Sequence, residues 1–308
     1  MQRILIIYNS RSSRFKDVSA EILEVLNNPA RMQEMGLAGM MVGKYEVEKT
    51  NVDENAKKLS KIIKDDDLLL AVGGDATAVI AANGILLSNK DAKLAVLPYG
   101  NFNDLARTLG TKKLKDVFCG KEQKLYPLEI VIDGKHWRYA TCYATIGMTA
   151  ASVEIFDNAK VRKKLQKGSK HSWRSYLQLA SWYFKNRHKR VFLPEFKLNG
   201  VLQSKKITDY AAVNGRSMAR VMKGGVWFLD KKVFRREVGK LANFWNLFVL
   251  MAKSILVRVP GKMITGDKIE FVNPATFEIQ AEGEYKIFEN VSEIEIRKAE
   301  KCLKVITN

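Results

Sequence analysis

The sequence predicts a two-domain protein in which an α/β domain with a parallel sheet precedes a β-rich domain with antiparallel sheet. Three observations lead to this prediction. The chain has 308 residues, which is more than one compact core usually holds. Short buried-type strands alternate with helical patterns over residues 1–125, as in a parallel sheet covered on both faces. Residues 126–308 carry short, partly alternating β-rich segments instead.

The N-terminal domain is predicted from continuous apolar runs and from helical spacing of apolar residues. The runs are short and bounded by polar residues, as buried strands are, and the intervening segments fit helices. In chain order the predicted elements are a strand at residues 4–8, helices at 16–26 and 53–63, a strand at 67–72, a helix at 77–88 and a strand at 93–98.

The second domain is predicted from alternating segments and turn signals. Asn199-Gly200 and Asp133-Gly134 are typical of two-residue hairpin turns. A helical passage at 172–184 interrupts the strands, and the final strand is able to return to the first domain. The predicted strands occupy residues 128–133, 136–146, 277–281 and 292–297.

The charge of the chain predicts an anionic partner. Fifty-two Lys and Arg against thirty-three Asp and Glu give a net charge of +19, and basic clusters lie at 160–170, 185–190 and 231–240. Such clusters favour a nucleic acid, an anionic membrane surface or a phosphorylated ligand. The chain has no helix-turn-helix, zinc or RNA-binding signature, so no specific nucleic-acid partner is expected.

The cysteines and the hydropathy predict a cytoplasmic protein, and the basic charge predicts that it associates peripherally with the membrane. Three scattered cysteines suit a reducing compartment rather than a disulfide framework. The apolar stretch at 247–252 is far shorter than the roughly 18 residues that cross a bilayer. The three histidines are too widely spaced to suggest a zinc motif.

The junction at residues 71–84, AVGGDATAVIAANG, predicts a phosphate site. Gly73 and Gly74 end a strand, where backbone N–H groups can approach a phosphate and the next helix presents the positive end of its dipole. Asp75 fits there if Mg²⁺ bridges it to the phosphates. Thr77 is expected to cap the helix or to touch the phosphate. By itself, the motif is a weak signal, and a tight turn with an Asp at the helix start would be the favoured interpretation.

A second junction of the same kind follows one strand later. Residues 96–110 read VLPYGNFNDLARTLG and place Gly100, Asn103 and Asp104 after the next strand. Because ligands bind beyond the carboxyl ends of parallel strands, the two junctions predict one shared cleft.

The pair of junctions resembles the diacylglycerol kinase catalytic-domain family, which includes sphingosine kinases and bacterial soluble lipid kinases. The family signatures GGDGT, E-V-x-NGL and P-L-G-T-x-NDFAR correspond to GGDAT, V-I-A-ANGI and P-Y-G-N-F-NDLAR here. NAD kinases and phosphofructokinases share the first junction and the α/β domain, and the resemblance implies this fold. The NDLAR motif speaks against those two families.

Weaker similarities extend the resemblance along the chain. Asn9 resembles the start of the family's N-P-x-S-G nucleotide loop, and Thr50 a threonine that helps to hold the nucleotide. Residues 145–153 and 213–225 are similar to the S-I-G-F-D-A and N-G-x…GGG segments. AEGE at 281–284 is similar to the family's D-G-E.

The resemblance implies the roles of the site residues. Glu284 is the general base that takes a proton from the lipid hydroxyl. Glu282 replaces the family's aspartate and is a cofactor-binding residue. Asp75 organises Mg²⁺ and the phosphates. Asn103, Asp104 and Arg107 line the cleft, where Arg107 counters phosphate charge.

The implied function is an ATP-dependent lipid kinase that transfers the γ-phosphate to a diacylglycerol-like or sphingoid hydroxyl. It requires ATP and Mg²⁺, a lipid substrate and an anionic membrane surface, and it allows a homodimer. The aromatic and basic passage at 172–190 fits membrane docking, and residues 241–256 fit the cover of an acyl-chain pocket. For the larger part of each segment, a core helix of the second domain is the favoured interpretation.

Three departures from the family pattern leave alternatives open. Ala76 replaces a glycine of GGDGT, and Asn101 replaces a threonine of the second motif. The acidic loop expected after GGVWF is replaced by a basic segment in which Asp230 is alone, so a structural Mg²⁺ site is predicted to be absent. The alternatives are a catalytically impaired lipid- or nucleotide-binding homologue and an NAD kinase-like enzyme.

Overall fold

The fold contains one mostly parallel sheet and one antiparallel sheet, which confirms the predicted fold class. In this computed structural model of the protein, the structure describes residues 3–12, 14–147, 149–150, 153, 181, 194–203, 209–218, 222–223, 232–238 and 262–308. The predicted helical passage at 172–184 (apart from residue 181), the apolar segment at 241–256 and the basic clusters at 160–170 and 185–190 lie outside those residues. So does Asp230.

Eighteen strands and seven α-helices are defined in these ranges. The strands are β1 (Arg3–Tyr8), β2 (Met41–Glu46), β3 (Leu68–Gly73), β4 (Lys93–Pro98), β5 (Lys121–Leu125), β6 (Leu128–Ile132), β7 (Lys135–Ala140), β8 (Tyr143–Gly147), β9 (Phe196–Leu198), β10 (Val201–Leu202), β11 (Asp209–Val213), β12 (Ser217–Met218), β13 (Met222–Lys223), β14 (Val233–Val238), β15 (Lys262–Ile264), β16 (Gly266–Ala281), β17 (Glu284–Lys298) and β18 (Leu303–Thr307). The helices are α1 (Phe15–Val18), α2 (Glu24–Leu26), α3 (Pro29–Glu34), α4 (Val52–Ser60), α5 (Asp75–Ser88), α6 (Asp104–Leu109) and α7 (Leu114–Phe118), and a π-helical turn (Ser19–Leu23) joins α1 to α2.

The first sheet has the strand order β2-β1-β3-β4-β18-β5. The pairs β1–β2, β1–β3, β3–β4 and β4–β18 are parallel, and β5 pairs antiparallel with β18. Since β2 and β3 lie on opposite sides of β1, the chain reverses its direction of winding at β1 and β3. In open α/β sheets, a ligand crevice forms at the carboxyl ends of the strands at such a point.

Both faces of the first sheet are covered, as its apolar strands require. Alternate residues of β1 enter two separate cores: Leu5 and Ile7 contact a core that includes residues of α4 and α5, while Ile4 and Ile6 contact a core that includes residues of α1 and α3. Tyr139 and Tyr143 of the second sheet join the first of these cores. The two sheets are therefore packed together through shared apolar contacts.

The second sheet follows the order β15-β14-β11-β8-β16-β17-β6-β7, with β9 on β16 and β10 on β9. Its predicted hairpin turns are confirmed, because Asp133 and Gly134 have φ values of 46° and 72°, and Asn199 and Gly200 of 53° and 80°. A single strand over 136–146 was expected, and that prediction is wrong. The carbonyl of Cys142 accepts hydrogen bonds from the Asn214 and Gly215 N–H groups, and the chain turns there between β7 and β8.

The last strand, β18, lies in the first sheet between β4 and β5. The chain thus leaves the first sheet after β5 and comes back to it at its final strand. A domain boundary near residue 125 stays a prediction. Within the described part of the chain, no helix is long and apolar enough to span a membrane.

Two polar contacts, one buried and one partly buried, tie the first domain to β7. Asn83 of α5 donates to the Tyr139 carbonyl at 2.9 Å and accepts from the Tyr139 N–H at 3.0 Å. The Arg138 guanidinium donates to the Asp53 carboxylate of α4 at 2.8 Å. Gly84 follows Asn83 in α5, and a Cβ there would lie 2.9 Å from Leu59, so its lack of a side chain permits the close approach of α4.

We expect Asn83→Ala to destabilise the protein by about 2–4 kcal/mol, because it leaves two buried backbone groups of Tyr139 without their side-chain partner. Urea unfolding followed by circular dichroism measures the change. Ser88→Ala is the matched control on the same helix: its hydroxyl donates to the nearby Ile85 carbonyl at a partly exposed position. Equal losses for the two variants would contradict a tying role for Asn83.

Candidate functional site

Predicted nucleotide-binding residues meet at the carboxyl edge of the first sheet. Asn9 follows β1, Thr50 lies in the loop after β2, Gly74 follows β3 and Gly100 lies just beyond β4. Because these four strands are parallel and adjacent, their loops share one edge. The edge is the location that the sequence predicted for a phosphate site.

The loops after β3 and β4 touch through their glycines. A Cβ built on Gly100 would overlap the Gly74 Cα and would lie 2.9 Å from the Asn103 Oδ1. A Cβ on Gly74 would lie 3.3 Å from the Gly100 Cα, and one on Gly73 would overlap Thr77. The glycines are therefore needed for close backbone approach, and none of the three has a positive φ.

Asp75 bridges the two loops. It is the first residue of α5, and its Oδ2 accepts from the Asn103 N–H at 3.0 Å while its Oδ1 accepts from the Asp104 N–H at 2.7 Å. The carboxylate thus satisfies backbone donors at the start of α6 and carries negative charge at the positive end of α5. Its first role is to hold the second junction against the first, and a direct bond to Mg²⁺ stays a prediction.

Asn103 and Arg107 shape the second loop. Asn103 has a left-handed backbone (φ 55°), and its amide both accepts from the Gly100 N–H at 2.9 Å and donates to the Gly100 carbonyl at 2.7 Å. The Arg107 Nε donates to the Phe102 carbonyl at 2.9 Å. Both predicted cleft residues therefore fix the loop conformation, and their contact with a nucleotide stays a prediction.

The structure changes the interpretation of Ala76 and Thr77. Ala76 is exposed in the first turn of α5 and has no positive φ, so the chain needs no glycine there. In a helix, alanine is favoured over glycine by about 1 kcal/mol. Thr77 lies inside the helix, which begins at Asp75, and is buried against Gly73; the prediction that it caps the helix is wrong.

The loop after β1 is held by hydrogen bonds of Asn9 and Arg11. The Asn9 Oδ1 accepts from the Arg11 N–H at 3.0 Å, and the Arg11 Nη2 donates to the Val47 carbonyl at 2.7 Å. In the loop after β2, the Thr50 hydroxyl accepts from the buried Asn55 amide at 2.9 Å. Asn9 and Thr50 are thus engaged within their own loops at the edge of the cleft.

Glu282 comes to the site from the second domain. It lies in the turn between β16 and β17, is 5% exposed, and accepts hydrogen bonds from the Thr141 hydroxyl at 2.5 Å and from the Cys142 N–H. Glu284 begins β17 two residues later, is partly buried, and pairs with Ala281. Cross-strand partners leave a sheet on the same side, so Glu284 lies on the same face of the hairpin as Ala281; its proximity to Asp75 stays a prediction.

Three carboxylates concentrate negative charge in the cleft. Burial raises the pKa of Asp75 to about 7, and the neighbouring charges of Asp104 and Glu282 act in the same direction. Burial also raises the pKa of Glu282 to about 7, against the opposing effect of its hydrogen bond from Thr141. The structure thus brings Asp75, Asp104 and Glu282 together across the two domains.

The site fits a cation that is held jointly with a phosphorylated ligand. The buried Glu282 Oε2 has no hydrogen-bond partner in the described part of the chain and lies among repelling acids. No group of three or more ligating side chains is close enough to hold a metal ion by itself, as far as the described residues extend. Mg²⁺ commonly uses one or two carboxylates with phosphate oxygens and water, which is the arrangement these residues allow.

Sequence reasoning missed the residues that support the hairpin turn. The Thr141–Cys142 turn binds Glu282, and the Asn214 amide donates to the Thr141 carbonyl at 2.8 Å. The buried Lys298 ammonium donates to the Asn214 Oδ1 and to the Tyr126 carbonyl. Asn214 belongs to the N-G motif noted in the sequence, which could have pointed to it; Thr141 and Lys298 carry no such signal.

The N-terminal part of the chain matches a known family. Residues 3–123 match the sequence profile described as the diacylglycerol kinase catalytic domain. A curated diacylglycerol kinase of Bacillus subtilis (strain 168) is 32% identical over 112 residues, which is 36% of this chain and 34% of that protein. A curated diacylglycerol kinase of Staphylococcus carnosus (strain TM300) is 31% identical over 110 residues, which is 35% of this chain and 33% of that protein. The matched segment thus spans about a third of the length of either relative.

Solved structures show that the likeness of the fold extends over the whole chain. A structure from Bacillus anthracis str. Sterne has a TM-score of 0.69 and 16% identity, covering 99% of this chain and 97% of its own. A second structure from that organism, described as a diacylglycerol kinase, has a TM-score of 0.65 and 13% identity with the same coverage. At these identities the comparison establishes the fold.

Proposed function

We propose, on the premise that residues 3–123 belong to the diacylglycerol kinase catalytic-domain family, that the protein is an ATP-dependent lipid kinase. The observation that carries the proposal is the position of Asp75, whose carboxylate joins the two glycine-containing loops while Glu282 of the second domain faces it. Two phosphate-type junctions and an acid from a second lobe suit phosphoryl transfer, which needs alignment and charge neutralisation above all.

The nucleotide side of the cleft is assigned to the first domain. The N-terminus of α5 and the backbone around Gly74 and Gly100 offer N–H groups and a positive dipole end to the phosphates. Asn9 and Thr50 flank that position along the same sheet edge. When bound, Mg²⁺ would supply charge neutralisation for the phosphates, with Asp75 and Glu282 as the acids near enough to favour it.

The lipid side is assigned to the second domain. In the proposed step, Glu284 takes the proton of the acceptor hydroxyl while the hydroxyl oxygen forms a bond to the γ-phosphorus of ATP. The bond between that phosphorus and the β–γ bridging oxygen breaks, and ADP leaves with the electron pair. The excess of basic residues, +19 overall, favours reversible docking to an anionic leaflet, at roughly 1 kcal/mol for each basic side chain near the surface.

The test is transfer of radiolabelled γ-phosphate from ATP, with Mg²⁺, to lipids in mixed micelles. Diacylglycerol, a sphingoid base, undecaprenol and phosphatidylglycerol are offered separately, together with NAD as a non-lipid acceptor. We expect a labelled lipid product. Asp75→Asn and Glu284→Gln should each lower the rate by about a hundredfold or more, since one loosens the junctions and the other removes the base.

Glu289→Gln is the matched control, an exposed acid on the same strand as Glu284, and should keep the wild-type rate. Labelling of NAD instead of lipid would support an NAD kinase-like enzyme and contradict the proposal. Binding of lipid or nucleotide with no product on any acceptor would favour a catalytically impaired homologue.

A further inference from the structure

The turn between β16 and β17 has an unusual residue for its backbone conformation. Glu282 and Gly283 have φ values of 54° and 87°, the pattern of a two-residue hairpin turn whose first position usually carries Asn, Asp or Gly. A glutamate in the left-handed region costs roughly 1 kcal/mol. Such conformations persist where surrounding contacts enforce them, and they concentrate at functional sites.

The contacts that enforce this conformation are two hydrogen bonds to one carboxylate oxygen. The Glu282 Oε1 accepts from the Thr141 hydroxyl at 2.5 Å and from the Cys142 N–H. The receiving turn is itself anchored, because the Cys142 carbonyl accepts from the Asn214 N–H at 2.6 Å and from the Gly215 N–H at 2.9 Å. One side chain therefore fastens the tip of a long hairpin to a rigid turn.

Only one oxygen of Glu282 takes part in this attachment. The Glu282 Oε2 is buried with no hydrogen-bond partner in the described ranges. The nearby carboxylates of Asp75 and Asp104 disfavour the ionised form of Glu282, so they do not hold the hairpin tip in place. The hydrogen bonds from Thr141 and Cys142 do so.

We propose that Glu282 is a positioning residue, which pins the hairpin turn to the Thr141–Cys142 turn and thereby sets where Glu284 meets the acceptor hydroxyl. This inference rests on the proposed lipid kinase function. Glu282 was predicted from the sequence as a cofactor-binding residue, and the geometry points to a structural coupling through its Oε1 instead. Glu284 begins β17 immediately after the turn, so a shift of the turn moves it directly.

Substitutions at Glu282 distinguish a role that depends on the length and hydrogen bonds of the side chain from a role that depends on its charge. Glu282→Gln keeps the accepting oxygen and the side-chain length while removing the charge. Glu282→Asp keeps the charge but is one methylene shorter, and Thr141→Val removes one donor without altering Glu282. Each variant is measured for kcat and for the KM of ATP in the micelle assay, and near-ultraviolet circular dichroism verifies its folding.

We expect Glu282→Asp to lower kcat by about tenfold or more with little change in the KM for ATP, and Glu282→Gln, which keeps the attachment, to lower kcat clearly less. Thr141→Val should lower kcat in the same manner as Glu282→Asp. The kcat of the double variant Glu282→Asp/Thr141→Val should be no lower than that of the less active single variant, because both changes break the same attachment. Glu289→Gln serves again as the control. If Glu282→Asp does not fold, Thr141→Val still tests the attachment.

A different pattern would overturn the inference. If Glu282 acts only through its charge on the nucleotide or a cation, Glu282→Gln should be at least as impaired as Glu282→Asp and should need more Mg²⁺. If the wild-type protein phosphorylates a lipid and the variants give that result, the positioning role is refuted and the kinase function stands. A wild-type protein that phosphorylates none of the lipids would refute the proposed function, and the positioning role with it.

Discussion

Gly100→Ala is expected to destabilise the protein and to disable the site. An added Cβ would overlap the Gly74 Cα and would lie 3.0 Å from the Gly74 nitrogen. Both are backbone atoms, so no side-chain rotation can relieve the contact, and the loops after β3 and β4 must separate. Separation stretches the bonds from the Asn103 and Asp104 N–H groups to Asp75. We expect a loss of about 2–4 kcal/mol in unfolding free energy and a fall of about a hundredfold in phosphoryl transfer.

Gly74→Ala provides a graded comparison for that prediction. Its Cβ would lie 3.3 Å from the Gly100 Cα, a tight contact that a shift of a few tenths of an ångström relieves. We expect a smaller loss of stability than for Gly100→Ala, measured for both by urea unfolding and by the micelle assay. Equal stability and equal rates in Gly100→Ala and the wild type would show that the two loops do not need their close approach.

The sequence predicted the first domain well because its signals are local. Continuous apolar strands such as residues 93–98 and helices of clear periodicity need no distant information, and the glycine junctions marked the edge where the site lies. The structure begins α5 at Asp75, two residues before the helix that the sequence predicts at 77–88. A helix that lacks a side-chain cap gives little signal of where it begins.

The second domain was less predictable because its site depends on contacts between distant segments. Residues 136–146 alternate as one strand, and only the hydrogen bonds from Asn214 and Gly215 to Cys142 reveal the turn that divides it. Glu282 pairs with that turn across about 140 positions of sequence. Neither periodicity nor spacing carries such information, so the attachment was visible only in the structure.

The stability of the protein without ligand should fall as the pH rises from about 5 to about 8. The pKa values of Asp75 and Glu282 are raised from 3.8 and 4.5 to about 7 by burial, and the neighbouring carboxylates act in the same direction. The folded state therefore holds protons that the unfolded chain releases near pH 4. Stability from this source is complete below the unfolded pKa values and is lost as the pH passes through 7.

The expected change is on the order of a few kcal/mol between the two pH values. It is measured by urea unfolding in the presence of EDTA, since a bound cation would compensate the same charges. Asp75→Asn/Glu282→Gln is the matched variant: it has neither titrating group, and the weaker junction in it lowers stability equally at every pH. We compare the pH dependence of the two proteins, because other groups, such as Asp65 and Asp116 with their lowered pKa values, titrate alike in both.

The difference between the two profiles tests the electrostatics of the site directly. If the acids repel one another in the folded protein, the wild type should lose more stability than the double variant as the pH rises, and the gap should stop growing above pH 7 to 8. Parallel profiles would mean that Asp75 and Glu282 ionise at ordinary pKa values, so that the cleft is more solvated than their burial implies. A cleft of that kind would offer a cation little advantage, and the case for charge neutralisation at these carboxylates would fail.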